Sequence, residues 1–425
     1  MSKYKLFRKA AIAAIIAGPL TAAMATNGYF SHGYGIVSKS MGGAGIATSS
    51  DAMSLATNPA AAVNVGDRVT FGADLFMPDR TTYVSAGTLG QNTGDYRSDQ
   101  RQFFVPEFGY NRMLGKDAAF GVVVYGNGGM NTNYGTSVLA PSGTGTANTN
   151  TYSNIEQLFI APTYTKKVGT HSFGASLNLI YQTFEVRGLQ GFDSTTYSSN
   201  TTFVTDKGVD TSTGYGVKLG WSNEISPSVT VGAVYQSRSK MSKFDKYKGL
   251  FAEQGAFDIP ESYGIGMAIK ASSKATLAID ATQINYGSVK SIANSGSTFP
   301  SGTTKMGLDD GAGFGWSNMT VFKIGMAYDL RPDLTLRAGY NYGKMPLKST
   351  DTYFNIIAPA TTEQHITLGA TWTLSNKSQF TASYVYAPEA KINGIDAGNG
   401  QTTAGYPENL RMTQQSLGVA YSWKY

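Results

Sequence analysis

The chain has 425 residues, a formal net charge of +6, three histidines and no cysteine. The missing cysteine excludes disulfides, thiolate metal sites and a cysteine nucleophile. With 26 Tyr, 21 Phe and 50 Gly against only 15% charged residues, the composition is unusual for a soluble enzyme of this length.

The first element in chain order is an expected signal peptide over residues 1–25. Lys3, Lys5, Arg8 and Lys9 precede an apolar core from Ala10 to Ala17, and Ala23, Met24 and Ala25 supply small residues suited to cleavage. The apolar run is too short for the ~20 residues of a spanning helix. Four of the 34 basic residues leave with this leader, and the net charge of the remainder falls to +2. The basic balance therefore argues little for nucleic acid as a partner.

Residues 27–60 lack the alternation seen afterwards. Glycines at 28, 33, 35, 42, 43 and 45 permit close backbone approach to a wall. Ser49 to Ala56 is predicted to form a short helix, with Ser50 or Asp51 near its cap and Pro59 as its stop. Phe30, Ile36, Met41, Ile46, Met53 and Leu55 offer material for a small core. Such a segment, bounded at 26–66, is suited to folding back into a barrel as a hatch or plug.

From Val69 onward the pattern is period two. Leu417, Val419, Tyr421 and Trp423 alternate with Gly418, Ala420 and Ser422; Phe173, Leu177, Leu179 and Tyr181 alternate with Gly174, Ser176 and Asn178. One strand face is continuously apolar and the other small or polar, as in a lipid-facing strand. Lys218, Asp280 and Arg337 fall on the polar side. No later stretch approaches 18 consecutive apolar residues, so spanning by helices is excluded. The predicted fold is all-β: a transmembrane antiparallel β-barrel of about 14 strands over 67–425, with the hatch in its lumen. About fourteen strands enclose more space than wall side chains fill, so something must occupy the interior.

The connections alternate strictly. Short turns at 113–117, 166–170, 225–228, 271–274, 330–333 and 374–378 interleave with long stretches at 79–100, 127–154, 188–211, 244–257, 287–315, 346–362 and 388–409. This suits periplasmic turns and outer loops, with both ends on the periplasmic side. A soluble β-sandwich explains alternating strands but neither the leader nor the loop alternation. The third strand runs into Gly126-Asn127-Gly128-Gly129, which weakens a ladder and predicts a kink or bulge. The third and fourth long loops carry Leu189, Phe192 and Phe203, and Leu250, Phe251 and Phe257. These are suited either to a greasy capture surface or to packing the loops against one another.

Enzymatic signatures are missing. No G-x-S-x-G, G-x-G-x-x-G or Walker pattern occurs, and His32, His171 and His365 lie far apart without ligand-like spacing. Neither a cofactor nor a metal is expected. A lipase-like outer membrane enzyme, recognised by hydrolysis of lipid or peptide, and an open diffusion porin, recognised by large steady conductance, are the rivals from other classes.

The glycine-rich run from Gly33 to Gly45, Asn58-Pro59-Ala60, Ile259-Pro260-Glu261, the run from Leu334 to Tyr342 followed by Met345-Pro346, and Lys391-Ile392-Asn393-Gly394 together give a resemblance. The chain resembles the FadL-type outer membrane transporters, which carry long-chain fatty acids or other hydrophobic compounds across the Gram-negative outer membrane. The resemblance implies a hatch as gate, with Asn27, Gly28, Phe30, Asn58, Pro59 and Ala60 among its residues. It also implies capture among the outer loops and lateral exit at the third-strand kink formed by Gly126 to Gly129. Arg187 matches by position a pocket arginine of the fatty acid transporters, with a pair to Glu185 as the alternative. The family's second basic group is not matched, since Ser317 stands there, which leaves room for neutral monoaromatic or alkane hydrocarbons. The expected partners are a hydrophobic small molecule, outer membrane lipid and lipopolysaccharide, and the barrel assembly machinery. The chain is expected to act as a monomer.

Overall fold

The structure is a computed structural model that describes residues 27–84, 94–139, 149–296, 304–394 and 409–425. The expected signal peptide lies outside the described residues. Fourteen strands form the wall. They are β1 Arg68–Val84, β2 Phe103–Met113, β3 Ala118–Asn133, β4 Tyr152–Val168, β5 His171–Arg187, β6 Asp210–Ser226 and β7 Val229–Gln236. The second half comprises β8 Ser262–Lys270, β9 Ala275–Ile284, β10 Met319–Arg331, β11 Leu334–Gly343, β12 Gln364–Thr373, β13 Gln379–Asn393 and β14 Asn409–Lys424. Each pairs antiparallel with its chain neighbour, and β14 closes on β1 from Arg68↔Lys424 to Tyr83↔Asn409. Closure removes the sheet edges, which lipid does not tolerate. Two further short strands, Gly94–Arg97 and Lys240–Met241, pair with β1 and β6 from the loops.

The alternation places its two residue classes as read. On β5, Phe173, Leu177, Leu179 and Tyr181 are exposed on the outside, whereas Ser172, Ser176, Asn178 and Gln182 are buried within. On β14, Leu417, Val419 and Tyr421 face out and Ser416, Ala420 and Ser422 face in. Among the described residues no helix is long and apolar enough to cross a membrane.

Among the described residues the wall is interrupted between β2 and β3. The β2–β3 ladder runs only from Phe108↔Val124 to Met113↔Ala119. Beyond it, β3 keeps β4 as its ladder partner, and its register there slips between Gly126 and Gly128, leaving Asn127 as the extra residue of a bulge.

Residues 27–66 lie inside the barrel as short turns of helix joined by irregular backbone: α1 Ile36–Lys39, α2 Ser54–Thr57, a 3-10 turn Pro59–Ala61 and α3 Ala62–Val65. The helix expected from Ser49 to Ala56 is reduced to α2. Ser54 Oγ accepts from the amides of Ser50 (3.0 Å) and Asp51 (3.3 Å), and Asp51 Oδ1 from Met53 N (2.9 Å), so side chains hold a turn where a helix was predicted. Nor does Pro59 stop a helix: α2 has ended at Thr57, Asn58 is extended as the residue before proline prefers, and Pro59 starts the 3-10 turn.

Candidate functional site

The six apolar residues of the lumen segment are all buried. The segment approaches the wall closely at wall glycines. A Cβ at Gly109 would fall 2.8 Å from Ala52 C, at Gly174 2.4 Å from Pro59 C, at Gly339 2.1 Å from Met41 C, and at Gly418 2.7 Å from Ile36 Cδ1. A side chain at these inward positions would displace the segment.

The inward polar side chains have the complementary role. A segment with little regular structure leaves amides and carbonyls without partners, which is costly away from water. Glu107 accepts from Gly35 N (3.2 Å) and Ile36 N (2.9 Å), and Asp280 Oδ2 from Gly45 N (2.7 Å) and Ile46 N (3.0 Å). Asn111 donates to Ala62 O and Gly66 O, Thr165 to Pro59 O, and Lys218 to Ala56 O at 2.6 Å. Asn58 knots the segment: its Nδ2 donates to Ile46 O (2.7 Å) and Trp221 O (3.2 Å), while its Oδ1 accepts from Ala60 N (3.0 Å).

At its outer end the segment turns tightly, Asn27 and Phe30 exchanging backbone hydrogen bonds. Gly28 sits at φ +65 against the Tyr286 ring, so both conformation and space require glycine. The bulge of β3 is tied to this turn. Ser31 N donates to Asn127 O (3.0 Å), Gly129 N to Tyr29 O (3.1 Å), and Phe30 bridges Gly128. The Asn127 side chain donates to Gln157 Oε1 (2.9 Å) and accepts from Tyr34 Oη (2.7 Å). The outer part of β3 thus exchanges its β2 partner for the lumen segment.

Above the turn stands a column of aromatic rings. Tyr29 lies 5.4 Å from Tyr286, 6.0 Å from Trp316 and 6.2 Å from Phe257, centroid to centroid; Phe257 meets Phe251 at 5.0 Å, and Phe251 meets Phe184 at 4.6 Å. Leu189, Phe192, Leu250, Phe251 and Phe257 are buried in the same apolar cluster. They do not present a greasy surface to water, because loop packing covers them. Phe203 is half-buried, under the Lys248 ammonium at 4.0 Å from its centroid.

Arg187 does not reach the interior. It shares the outward face of β5, pairs with Glu185 at 3.4 Å and stacks over Tyr152 at 4.1 Å. Other cations face the lumen. A cavity of about 70 Å³ lies between the segment and β6–β10, bounded by Phe30, Tyr34, Ile46, Lys218, Val321 and Lys323. Sequence reading put Lys218 on the polar face but gave it no role, and passed over Lys323. His32 and His365, unpaired in the sequence, stack with centroids 5.0 Å apart and planes 15° apart, joining the segment to β12. Among the described residues no cluster of three or more His, Cys, Asp or Glu side chains is placed to hold a metal.

The family model described as outer membrane protein transport protein (OMPP1/FadL/TodX) matches residues 13–425. Among solved structures, the chain is similar to the toluene transporter TodX of Pseudomonas putida, with 18% identity over 93% of this chain and 99% of that one and a TM-score of 0.70. It is similar to the toluene transporter TbuX of Ralstonia pickettii, with 18% identity, 93% and 99% coverage and a TM-score of 0.61. A FadL homologue from Pseudomonas aeruginosa gives 15% identity, 93% and 99% coverage and a TM-score of 0.65. At these identities the likeness is one of fold. No curated protein matches the chain.

Proposed function

Because the chain belongs to the outer membrane protein transport family (OMPP1/FadL/TodX), whose members carry hydrophobic compounds across the Gram-negative outer membrane, we propose that it is a gated, passive route with lateral exit. A hydrophobic molecule enters through the outer loops and moves down the aromatic column to the cavity beside the lumen segment. It leaves sideways between β2 and β3 into the membrane. Long-chain fatty acids are the first substrate class. Neutral hydrocarbons are the second reading, favoured by Ser317 where a basic group was expected and by the toluene transporters among the similar structures.

The observation that carries the reading is the exchange of partners at the β3 bulge. The wall lacks its β2–β3 ladder where residues 29–31 hold β3, so releasing the segment and opening the wall involve the same hydrogen bonds. Size supports a gate over a standing channel. The cavity of about 70 Å³ is smaller than the ~150 Å³ of a dry cavity that accepts benzene. Passage therefore requires movement of the segment, the hatch of this proposal.

The chain has no cysteine, so an engineered pair is unique. Ser31→Cys with Asn127→Cys joins the turn to the bulge where their backbones already hydrogen-bond. Cells that rely on this protein should lose oleate and toluene uptake on oxidation and regain it on reduction. Uptake indifferent to the crosslink would exclude the route.

A further inference from the structure

We propose that the outside of the barrel carries a binding site for a phosphorylated, acylated glycolipid of the outer leaflet, in a groove between β5, β6 and the short strand Lys240–Met241. The groove has a volume of about 590 Å³, and Leu177, Leu179, Thr213, Tyr215, Lys240 and Met241 are among its lining residues. It lies on the lipid side of the wall, away from the lumen, and does not depend on how cargo passes. The β6–β7 ladder ends at Lys218↔Gln236. Beyond that end Ser239 turns aside to bridge Ile259, and the chain returns to β6 for two residues, Tyr215↔Lys240 and Gly214↔Met241. Leu179 stands opposite Tyr215 in the β5–β6 ladder. Directly opposed residues share a sheet face. Leu179, Tyr215 and Lys240 therefore form one outward row across three strands, and all three are exposed.

The row stands where the outer face of the wall changes character. Along β5 the outward residues are apolar from Phe173 to Tyr181 and then become Thr183, Glu185 and Arg187; along β6 they pass from Leu219, Val217 and Tyr215 to Thr213 and Thr211. These ends lead into the long loops, which mark the outer side of a bacterial barrel. Tyr215, 63% exposed, occupies the level where aromatic rings sit at a membrane interface. A lipid with an acyl chain along Leu177 and Leu179 therefore brings its head group level with Lys240.

Charge selects among the lipids that could lie there. Residues 238–248 hold five basic side chains against one acidic, Asp245. Three of the five are engaged: Arg238 pairs with Asp258 at 2.8 Å, Lys246 Nζ donates to Val209 O at 2.6 Å, and Lys248 lies over the Phe203 ring. Lys240 lines the groove and Lys243 follows its lining residue Ser242 in the chain; both are exposed. Among the described residues neither has a carboxylate within 4.0 Å. Basic side chains at the edge of an apolar membrane surface attract anionic head groups. A zwitterionic phospholipid brings its own ammonium beside its phosphate and leaves these two lysines unbalanced. A glycolipid with phosphates on its sugars and several acyl chains supplies both the missing charge and the apolar part.

The test titrates the purified full chain in a non-ionic detergent with bisphosphorylated lipid A, with the same lipid freed of its phosphates, and with phosphatidylethanolamine, and reads bound lipid by native mass spectrometry. Lipid A should bind roughly tenfold tighter than either of the others, as expected of charge-assisted hydrogen bonds. Lys240→Gln with Lys243→Gln should abolish that preference and leave binding of the dephosphorylated lipid unchanged, while Lys240→Arg with Lys243→Arg should preserve it. Both lysines are exposed, and heat-modifiable electrophoretic mobility reports that each variant is a folded barrel. Equal affinities for the three lipids overturn the proposal, as does a preference that survives loss of both lysines. Inorganic phosphate at the same concentration should not displace lipid A; displacement would mean a site for free phosphate instead. Position is tested in cells with a photoreactive phenylalanine analogue in place of Tyr215 or of Tyr263, an exposed residue at the outer end of β8. Lipid A should crosslink at position 215 and much less at 263, and equal labelling would reduce the groove to ordinary contact with the leaflet.

Discussion

Lys39 reaches from the lumen segment to Asp74 on β1, Nζ to Oδ2 at 2.7 Å, with both side chains 2% exposed. Burial works against the ammonium charge, but Asp74 and Glu107 outweigh it and leave the Lys39 pKa above its ordinary value. Ser416 donates its hydroxyl to the other oxygen of Asp74, so the carboxylate is fully engaged between segment and wall. Such a pair adds little net stability over an apolar replacement, yet removing one partner strands a buried charge at a cost of about 3–5 kcal/mol. Lys39→Met should therefore loosen the seating of the segment while leaving the barrel assembled. We expect increased conductance in planar bilayers and faster proteolysis within residues 27–66. Lys39→Met combined with Asp74→Leu should recover part of the loss. Conductance and proteolysis identical to the unaltered protein would show that the pair does not hold the segment.

Gly128 supplies a second test of how β3 is held. A Cβ there would fall 1.7 Å from the Tyr29 carbonyl oxygen, a distance no small adjustment relieves. Gly128→Ala should therefore separate the bulge from the turn at residues 29–31. Hydrogen exchange is the direct measurement: the amides of Ser31 and Gly129, which bond Asn127 O and Tyr29 O, should lose protection. Amides of the β5–β6 ladder should keep theirs, and protected amides at 31 and 129 in the variant would contradict the argument.

What was legible beforehand follows from where physical constraints act locally. Strand number, loop alternation and facing were readable because lipid imposes period two on every strand. Arg187 was readable by the same rule, since it shares the parity of Phe173 and Leu179 and so faces outward; position by resemblance pointed elsewhere. The short helix was misread because Ser50, Asp51 and Ser54 satisfy their own backbone as well as a helix would. The His32–His365 stack and the second role of the wall glycines depend on how the segment folds back. No local pattern encodes contacts between residues so far apart along the chain.

Tyr286 ties the start of the segment to the loop that follows β9. Its hydroxyl donates to Asn27 O and accepts from Tyr29 N at 3.2 Å and Phe30 N at 3.4 Å. Tyr286→Phe keeps the ring contacts with Tyr29, Phe30 and Trp316 and deletes only these bonds. Phe30 N keeps its bond to Asn27 O, so the Tyr29 amide is the buried donor that loses its hydroxyl partner, at a cost of about 1–3 kcal/mol. The variant should show faster exchange at Tyr29 and earlier thermal loss of its protection, with the unfolding temperature of the barrel nearly unchanged. A barrel that melts much earlier would mean that Tyr286 supports the wall rather than the turn.

His32 gives the seating of the segment a pH dependence. Burial first, then His365, Lys39 and Lys323, hold its pKa well below the ordinary value, so the seated ring is neutral. Among the described residues its Nε2 has no hydrogen-bond partner, and the stacked His365 Nδ1 meets Asn341 Oδ1 at 3.3 Å. Once the segment is released, His32 titrates near its usual value of about 6.5. Between the two values the released state binds a proton that the seated state does not, so the stabilisation is complete above about pH 6.5 and declines as pH falls below it. Segment proteolysis or bilayer conductance should therefore rise between pH 7.5 and pH 5. His32→Gln should flatten that rise, because glutamine carries no charge at either pH. Equal pH profiles for the two proteins would assign acid sensitivity to the carboxylates of the wall instead.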